Sequence, residues 1–173
     1  MDGAESVLYV GTFSKVLLPT LRIGYAVVPP DIAAVFEAGK ALMDLGTPTL
    51  GQYLLADLLE SGAYERHIRR SRRQFAERRT ALLEALEAHF GDEARPLGSA
   101  AGVHLYVEFP GLTWRALDAA IARARDRGVG VYSAAPYYMR LPRDPALLFG
   151  FGALSPREIG DGLRAFATAA TPS

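Results

Sequence analysis

The sequence has no cysteine. That excludes disulfides, thiol nucleophiles and zinc–thiolate centres together. Net charge is also missing, since nineteen basic residues balance nineteen acidic ones. No overall field therefore draws the chain to nucleic acid or to an anionic membrane. No run approaches the roughly eighteen apolar residues of a spanning helix, so no membrane partner is expected. The opening residues, MDGAESVLYV, carry neither a basic n-region nor a long apolar h-region and do not read as a signal peptide. The glycine patterns of nucleotide sites, G-x-G-x-x-G and G-x-x-x-x-G-K-[ST], are absent. His67, His89 and His104 are too scattered for a ligand set, and no metal is expected. A soluble, cytoplasmic protein is the expectation.

What is present is a chain of 173 residues, 50% apolar and 22% charged. This is the composition of a globular protein, long enough for one domain or two small ones. Val7 to Val10 and Ile23 to Val28 are short apolar runs closed by Gly11 and by Pro29-Pro30. They read as buried strands of a sheet covered on both faces. Asp31 is positioned to cap a helix running to about Asp44, with Ile32, Val35, Phe36 and Leu42 or Met43 inward. A second helix starts at Thr47-Pro48 and stops at Ser61-Gly62.

The longest element predicted is AYERHIRRSRRQFAERRTALLEALEAHF, whose Tyr64, Ile68, Phe75, Leu82, Leu86 and Phe90 share one stripe. At roughly 1.5 Å per residue it is about 40 Å long, enough to bridge two lobes. Arginines from Arg66 to Arg79 fill its other faces. Glu65, Glu77 and Glu84 interleave with them and no aromatic platform accompanies them, so they read as a solvated face and not a nucleic-acid surface. The strand GVHLYVEF follows, then a helix from Thr113 to about Gly128, strands at Val129–Tyr132 and Leu147–Phe151, and a last helix. That helix opens Ser155-Pro156-x-Glu158, a capping box with proline at its first position. The tail after Ala167 reads as frayed.

One stretch invites chemistry: YVGTFSKVLLPTLRIGY. A lone lysine in a turn is ordinarily a surface cation. Lys15, however, follows an apolar strand and has Thr12, Ser14 and Arg22 close by in sequence. An amine suits a carbonyl, and hydroxyls with a guanidinium suit a phosphate. A phosphorylated carbonyl cofactor needs this combination.

GTFSKVLLPTLRIGY resembles the cofactor-lysine segment of fold-type I pyridoxal-phosphate aminotransferases. It is most similar to the version in the aminotransferase-like domain of MocR/GabR-type regulators, a branch of the GntR family. GQYLLADLLESGAYERHIRRSRRQFAERRTALLEAL, AAGVHLYVEF and LLFGFGALSPREIGDGLRAF extend the resemblance over nearly the whole chain. It implies an α/β fold, the C-terminal portion of a fold-type I transferase. Residues 1–62 would be a remnant of the large cofactor-binding domain, and residues 63–173 the long connecting helix and small α+β domain. It implies pyridoxal 5'-phosphate as cofactor, with Lys15 forming the imine and later moving the substrate α-proton. Thr12, Ser14 and Arg22 would lie near the phosphate. Tyr25 reads as a strand aromatic of the core. The reaction implied is amino-group transfer between an amino acid and a 2-oxo acid, in a homodimer.

Two departures limit what carries over. The family's pyridine-nitrogen aspartate, ring-stacking aromatic and further phosphate ligands lie upstream of the lysine, where only a few residues stand. The expectation is a truncated or mis-started chain with weakened activity, or a remnant that folds only by its C-terminal layer. The family's late-strand arginine, in a pattern like R-x-S-F, is also missing from LLFGF. Arg140 or Arg143 could take the substrate carboxylate, although each also reads as a loop surface cation. The alternative function is the effector-binding domain of a MocR-type regulator without its winged helix-turn-helix, with no direct nucleic-acid contact by this chain.

Overall fold

The computed structural model describes residues 7–98 and 102–170. The chain separates into two compact units, Met1–Arg70 and Ser71–Ser173. The first carries an antiparallel hairpin of β1 (Tyr9–Thr12) and β2 (Gly24–Val27), with Tyr9 opposite Val27 and Thr12 opposite Gly24. Helices α1 (Pro30–Asp44) and α2 (Leu50–Glu60) follow. Then comes α3 (Ala63–Phe90), the long helix expected from the stripe, within which the unit boundary falls.

The elements match the sequence reading here, but their burial does not. Val10 is 75% exposed and Val27 59%, and on α1 Val35, Leu42 and Met43 are 70%, 82% and 89% exposed. Tyr25, expected in the core, is 44% exposed. Among the described residues of this unit only Leu55 is buried. The physical reason is that two strands and two helices offer too few partners to cover a sheet on both faces. The apolar residues thus stand outward within this unit. The helix start differs too. Pro29 occupies the cap position without a side-chain bond, and Asp31 sits in the first turn, where its charge favours the helix dipole. The second helix begins at Leu50, with Thr49 and not Thr47 at its cap position.

The second unit has a conventional core. Strands β3 (Arg95–Leu97), β4 (His104–Glu108), β5 (Tyr132–Ser133) and β6 (Ala146–Gly150) form an antiparallel sheet in the order β3-β4-β6-β5. Alternation along β4 turns Leu105 and Val107 inward, where they meet Leu147 and Phe149 of β6. Helices α4 (Trp114–Asp126) and α5 (Pro156–Ala170) add Leu117, Ala120, Ala124, Ile159, Leu163 and Phe166 to that layer, and the end of α3 adds Leu82 and Leu86. Phe166 is the hub of an aromatic cluster, with ring centroids 5.7 Å from Phe90, 6.3 Å from Phe109 and 6.1 Å from Phe149.

The cap predicted at Ser155 is present, and Thr113, expected only to open its helix, caps it as well. The Thr113 hydroxyl accepts from the Ala116 amide at 3.2 Å. At α5 the Ser155 amide donates to Glu158 Oε2 at 2.7 Å while the Glu158 amide donates back to Ser155 Oγ at 3.3 Å, a complete capping box. The arginine-rich face is solvated as expected, with the pairs Arg69–Glu65 and Arg73–Glu77 one turn apart. Arg78 departs from it: half-buried, its guanidinium donates to the Gly152 carbonyl. The strand β3 has no periodic signal and is not anticipated by the sequence, and β5 is shorter than predicted. The tail expected to fray after Ala167 is helical to Ala170, and its last residues lie outside the described ones, as do Met1 to Ser6.

Candidate functional site

The register of the hairpin builds the site. Because Thr12 pairs with Gly24, the two ends of the loop 13–23 are held side by side, and Ser14, Lys15 and Arg22 all lie at that end. The Phe13 amide donates to the Ile23 carbonyl at 3.0 Å, closing the loop neck. Thr12 Oγ1 reinforces it, accepting from the Ser14 amide at 3.1 Å and donating to the Ile23 carbonyl at 3.3 Å. The Val16 and Leu17 amides both donate to the Phe13 carbonyl, at 3.1 and 2.8 Å, so Lys15 rides on a single tight turn. A 3₁₀ turn, Pro19–Leu21, brings the chain back, and Arg22 enters β2 with a positive φ of 51°. A left-handed non-glycine residue is uncommon and marks a position the surroundings dictate.

The two lysines of the sequence, Lys15 and Lys40, are in opposite states. Lys40 Nζ donates to Asp44 Oδ2 at 2.6 Å and also contacts the Thr47 hydroxyl, which itself donates to Asp44 at 2.8 Å. These bonds hold the Asp44 carboxyl below the usual carboxylate range, with the Lys40 contact first and Thr47 second. Lys15 has no such partner among the described residues, and neither has Arg22. The loop therefore offers an uncommitted amine and an uncommitted guanidinium. Arg22 and Tyr25 also line an open groove of about 640 Å³, facing Lys40, Thr47 and Gln52. Thr12, Ser14 and Lys15 lie outside its lining. The Tyr25 ring stacks between Tyr9 and Phe13, 5.9 and 5.4 Å away, and the hydrogen bond to Tyr9 pushes its pKa up.

Arg140 belongs to the second unit, on the segment between a 3₁₀ turn, Ala135–Tyr137, and β6. Two anchors hold that segment. The Tyr138 hydroxyl meets the Tyr106 hydroxyl, and Trp114 Nε1 donates to the Pro142 carbonyl at 2.8 Å. Arg140 and Arg143 are exposed and unpaired among the described residues. The sequence reading missed the Lys40–Asp44–Thr47 cluster, although a lysine four residues before an aspartate on a helix is a legible signal. Among the described residues no group of His, Asp or Glu is arranged to hold a metal, and no helix is long and apolar enough to cross a membrane.

The sequence pattern of the aminotransferase class I and II family matches residues 1–148. The chain belongs to that family. This aminotransferase-family chain is 33% identical over 99% of its length to the uncharacterized HTH-type transcriptional regulator YhdI of Bacillus subtilis, covering 36% of that protein. It is 29% identical over 98% of its length to the probable rhizopine catabolism regulatory protein MocR of Rhizobium meliloti, covering 34% of it. Among solved structures it matches LysN, the α-aminoadipate aminotransferase of Thermus thermophilus, in complex with N-(5'-phosphopyridoxyl)-L-leucine. There the TM-score is 0.81 and the identity 30%, over 96% of this chain and 42% of that one. The mixed α/β architecture is thus that of fold-type I aminotransferases, and the chain spans about two fifths or less of the proteins it matches.

The residues on the loop fit the cofactor of such a fold. A free amine suits an aldehyde, and a free guanidinium on the same loop as a serine suits a phosphate. The second amine of the unit is already engaged by Asp44 and Thr47.

Proposed function

We propose that this chain supplies the lysine-bearing wall of a pyridoxal-phosphate site and takes part in amino-group transfer between an amino acid and a 2-oxo acid. The observation that carries the reading is the contrast between Lys15, uncommitted on its turn, and Lys40, bonded to Asp44 and Thr47. When bound, pyridoxal phosphate supplies an aldehyde that condenses with amines and a ring that accepts electrons. Lys15 Nζ would be the residue that holds its aldehyde carbon. The same Nζ would be the base that takes up the proton of the substrate α-carbon. Arg22 and Ser14 hold the phosphate. Thr12 joins them by giving up its 3.3 Å bond to the Ile23 carbonyl, since its hydroxyl has one proton to donate. Arg140 is the candidate for the substrate carboxylate. The protein is cytoplasmic in this reading and acts as a homodimer. The outward apolar faces of the first unit support weak cofactor uptake and low turnover by the chain taken alone.

A second reading has one observation behind it: 99% and 98% of this chain align with a part of YhdI and of MocR, both named as regulators. In that reading the same lysine senses a ligand and turnover is incidental. DNA ahead of Met1 that encodes an in-frame winged helix-turn-helix would favour the sensor, and its absence the enzyme.

The test is borohydride reduction in the presence of pyridoxal phosphate, followed by peptide mapping. Label on Lys15, lost in Lys15→Ala and kept in Lys40→Ala, is the expected result. Label shared equally between Lys15 and Lys40 would overturn the proposal.

A further inference from the structure

The turn that carries Lys15 is gripped from both sides by the first turns of α3. His67 Nε2 lies 2.8 Å from the Val16 carbonyl, within hydrogen-bond reach. One helical turn earlier, the Tyr64 ring meets the Phe13 ring edge-on, with centroids 5.8 Å apart at 73°. Residues three apart on a helix project from the same face. Here such a pair, Tyr64 and His67, meets Phe13 and Val16, which are three apart on the loop and flank Ser14 and Lys15.

Each contact holds a different end of the turn. Phe13 is pinned between Tyr25, 5.4 Å away, and Tyr64, and its carbonyl receives the Val16 and Leu17 amides. His67 then fixes the far side through Val16, fifty-one residues distant in sequence. A carbonyl only accepts, so the imidazole must present an N–H at Nε2. Helix α3 is a rigid rod on which these two side chains have a fixed spacing. The backbone around Lys15 is therefore held by the helix as well as by the loop's own turn.

We infer that Tyr64 and His67 are positioning residues for Lys15, which α3 holds in register with the hairpin through the Phe13 ring and the Val16 carbonyl. Neither residue touches the reacting atoms; they act through the turn. This rests on the assignment of Lys15 as the cofactor amine, but the grip itself can be read without any cofactor.

The experiment follows amide hydrogen exchange of residues 13–17 in the cofactor-free chain, and pyridoxal-phosphate affinity by titration of Lys15 labelling. Loss of one hydrogen bond of ordinary net strength corresponds to a change of about fivefold. His67→Ala is expected to speed exchange at Val16 and Leu17 about fivefold and to weaken the affinity by a similar factor. His67→Gln, whose amide N–H reaches about as far as Nε2, is expected to restore both, whereas the shorter His67→Asn is not. Tyr64→Phe keeps the ring and is expected to change nothing, while Tyr64→Ala loosens the turn. Exchange and affinity unchanged in both alanine variants, with Lys15 still labelled in the parent chain, would overturn the inference and leave the cofactor assignment standing. A parent chain not labelled at Lys15 would remove the cofactor assignment. The exchange readout would then decide the grip alone: unchanged in His67→Ala, it fails too. Circular dichroism of α3 separates a loosened turn from a lost fold, and a lost helix in the Gln and Phe variants also counts against a purely positional role.

Discussion

The Tyr25 ring lies across Gly11. A β-carbon added at residue 11 would stand 2.4 Å from Tyr25 Cζ and 2.7 Å from its hydroxyl oxygen. The two residues are register partners in the hairpin, so the glycine gives the ring its place. Gly11→Ala is expected to force the ring outward and destabilise the hairpin by about 1 kcal/mol, the low end for overpacking because Tyr25 has solvent to swing into. Tyr25→Ala in the same chain should remove that penalty. A double-mutant cycle on thermal unfolding checks it, and additive effects would contradict the contact.

Asp44 reports on the engaged lysine. Its pKa is lowered by Lys40 first and Thr47 second. A carboxylate whose folded pKa is depressed adds stability above its unfolded pKa, and that contribution fades as pH falls through the folded value. In Lys40→Met, the Asp44 titration followed by NMR should move up toward the usual carboxylate range. A curve left in place would show that the cluster is not what holds it.

Tyr106 should resist ionisation. Burial raises its pKa first, and the Tyr138 hydroxyl second. For a group raised in the folded state, the stability it lends is complete below the unfolded value, about 10 for tyrosine, and is lost as pH climbs above it. Spectrophotometric titration of Tyr106→Phe is expected to lose one late-ionising tyrosine. Alkaline unfolding should then begin at higher pH than in the parent chain.

The two units should answer truncation very differently. Phe166 is fully buried amid three other phenylalanines, so Phe166→Ala is expected to cost about 3–5 kcal/mol in denaturant unfolding. Phe36, on α1, is 45% exposed. Phe36→Ser should stay within about 0.5 kcal/mol in the isolated 173-residue chain. Equal losses would mean that the α1 face is covered.

Local signals carried far in this sequence, and long-range partners did not. The box at Ser155 and Glu158, the helix start at Thr113 and the alternation of Leu105 and Val107 each rest on a few neighbouring residues, and each appears in the structure. The loop from Thr12 to Arg22 is legible as a unit because all its chemistry is contiguous. The exposure of Val10, Val35 and Met43 is not legible. Apolarity says what a residue prefers to touch, but the partner must exist elsewhere in the fold. His67 reads in the sequence only as too isolated to ligate a metal, because its partner, the Val16 carbonyl, is a backbone group that no side-chain pattern encodes.

Only two of the nineteen basic side chains are lysines, and one of them is hydrogen-bonded to an aspartate and a threonine. The remaining side-chain cations are guanidiniums, which stay protonated and do not condense with aldehydes as amines do. Positive charge is thus spread over the surface in a form indifferent to carbonyl compounds. Of the side chains, Lys15 alone is left open to a reactive aldehyde. Chemoselectivity here comes as much from the near-absence of competing amines as from any property of the loop itself.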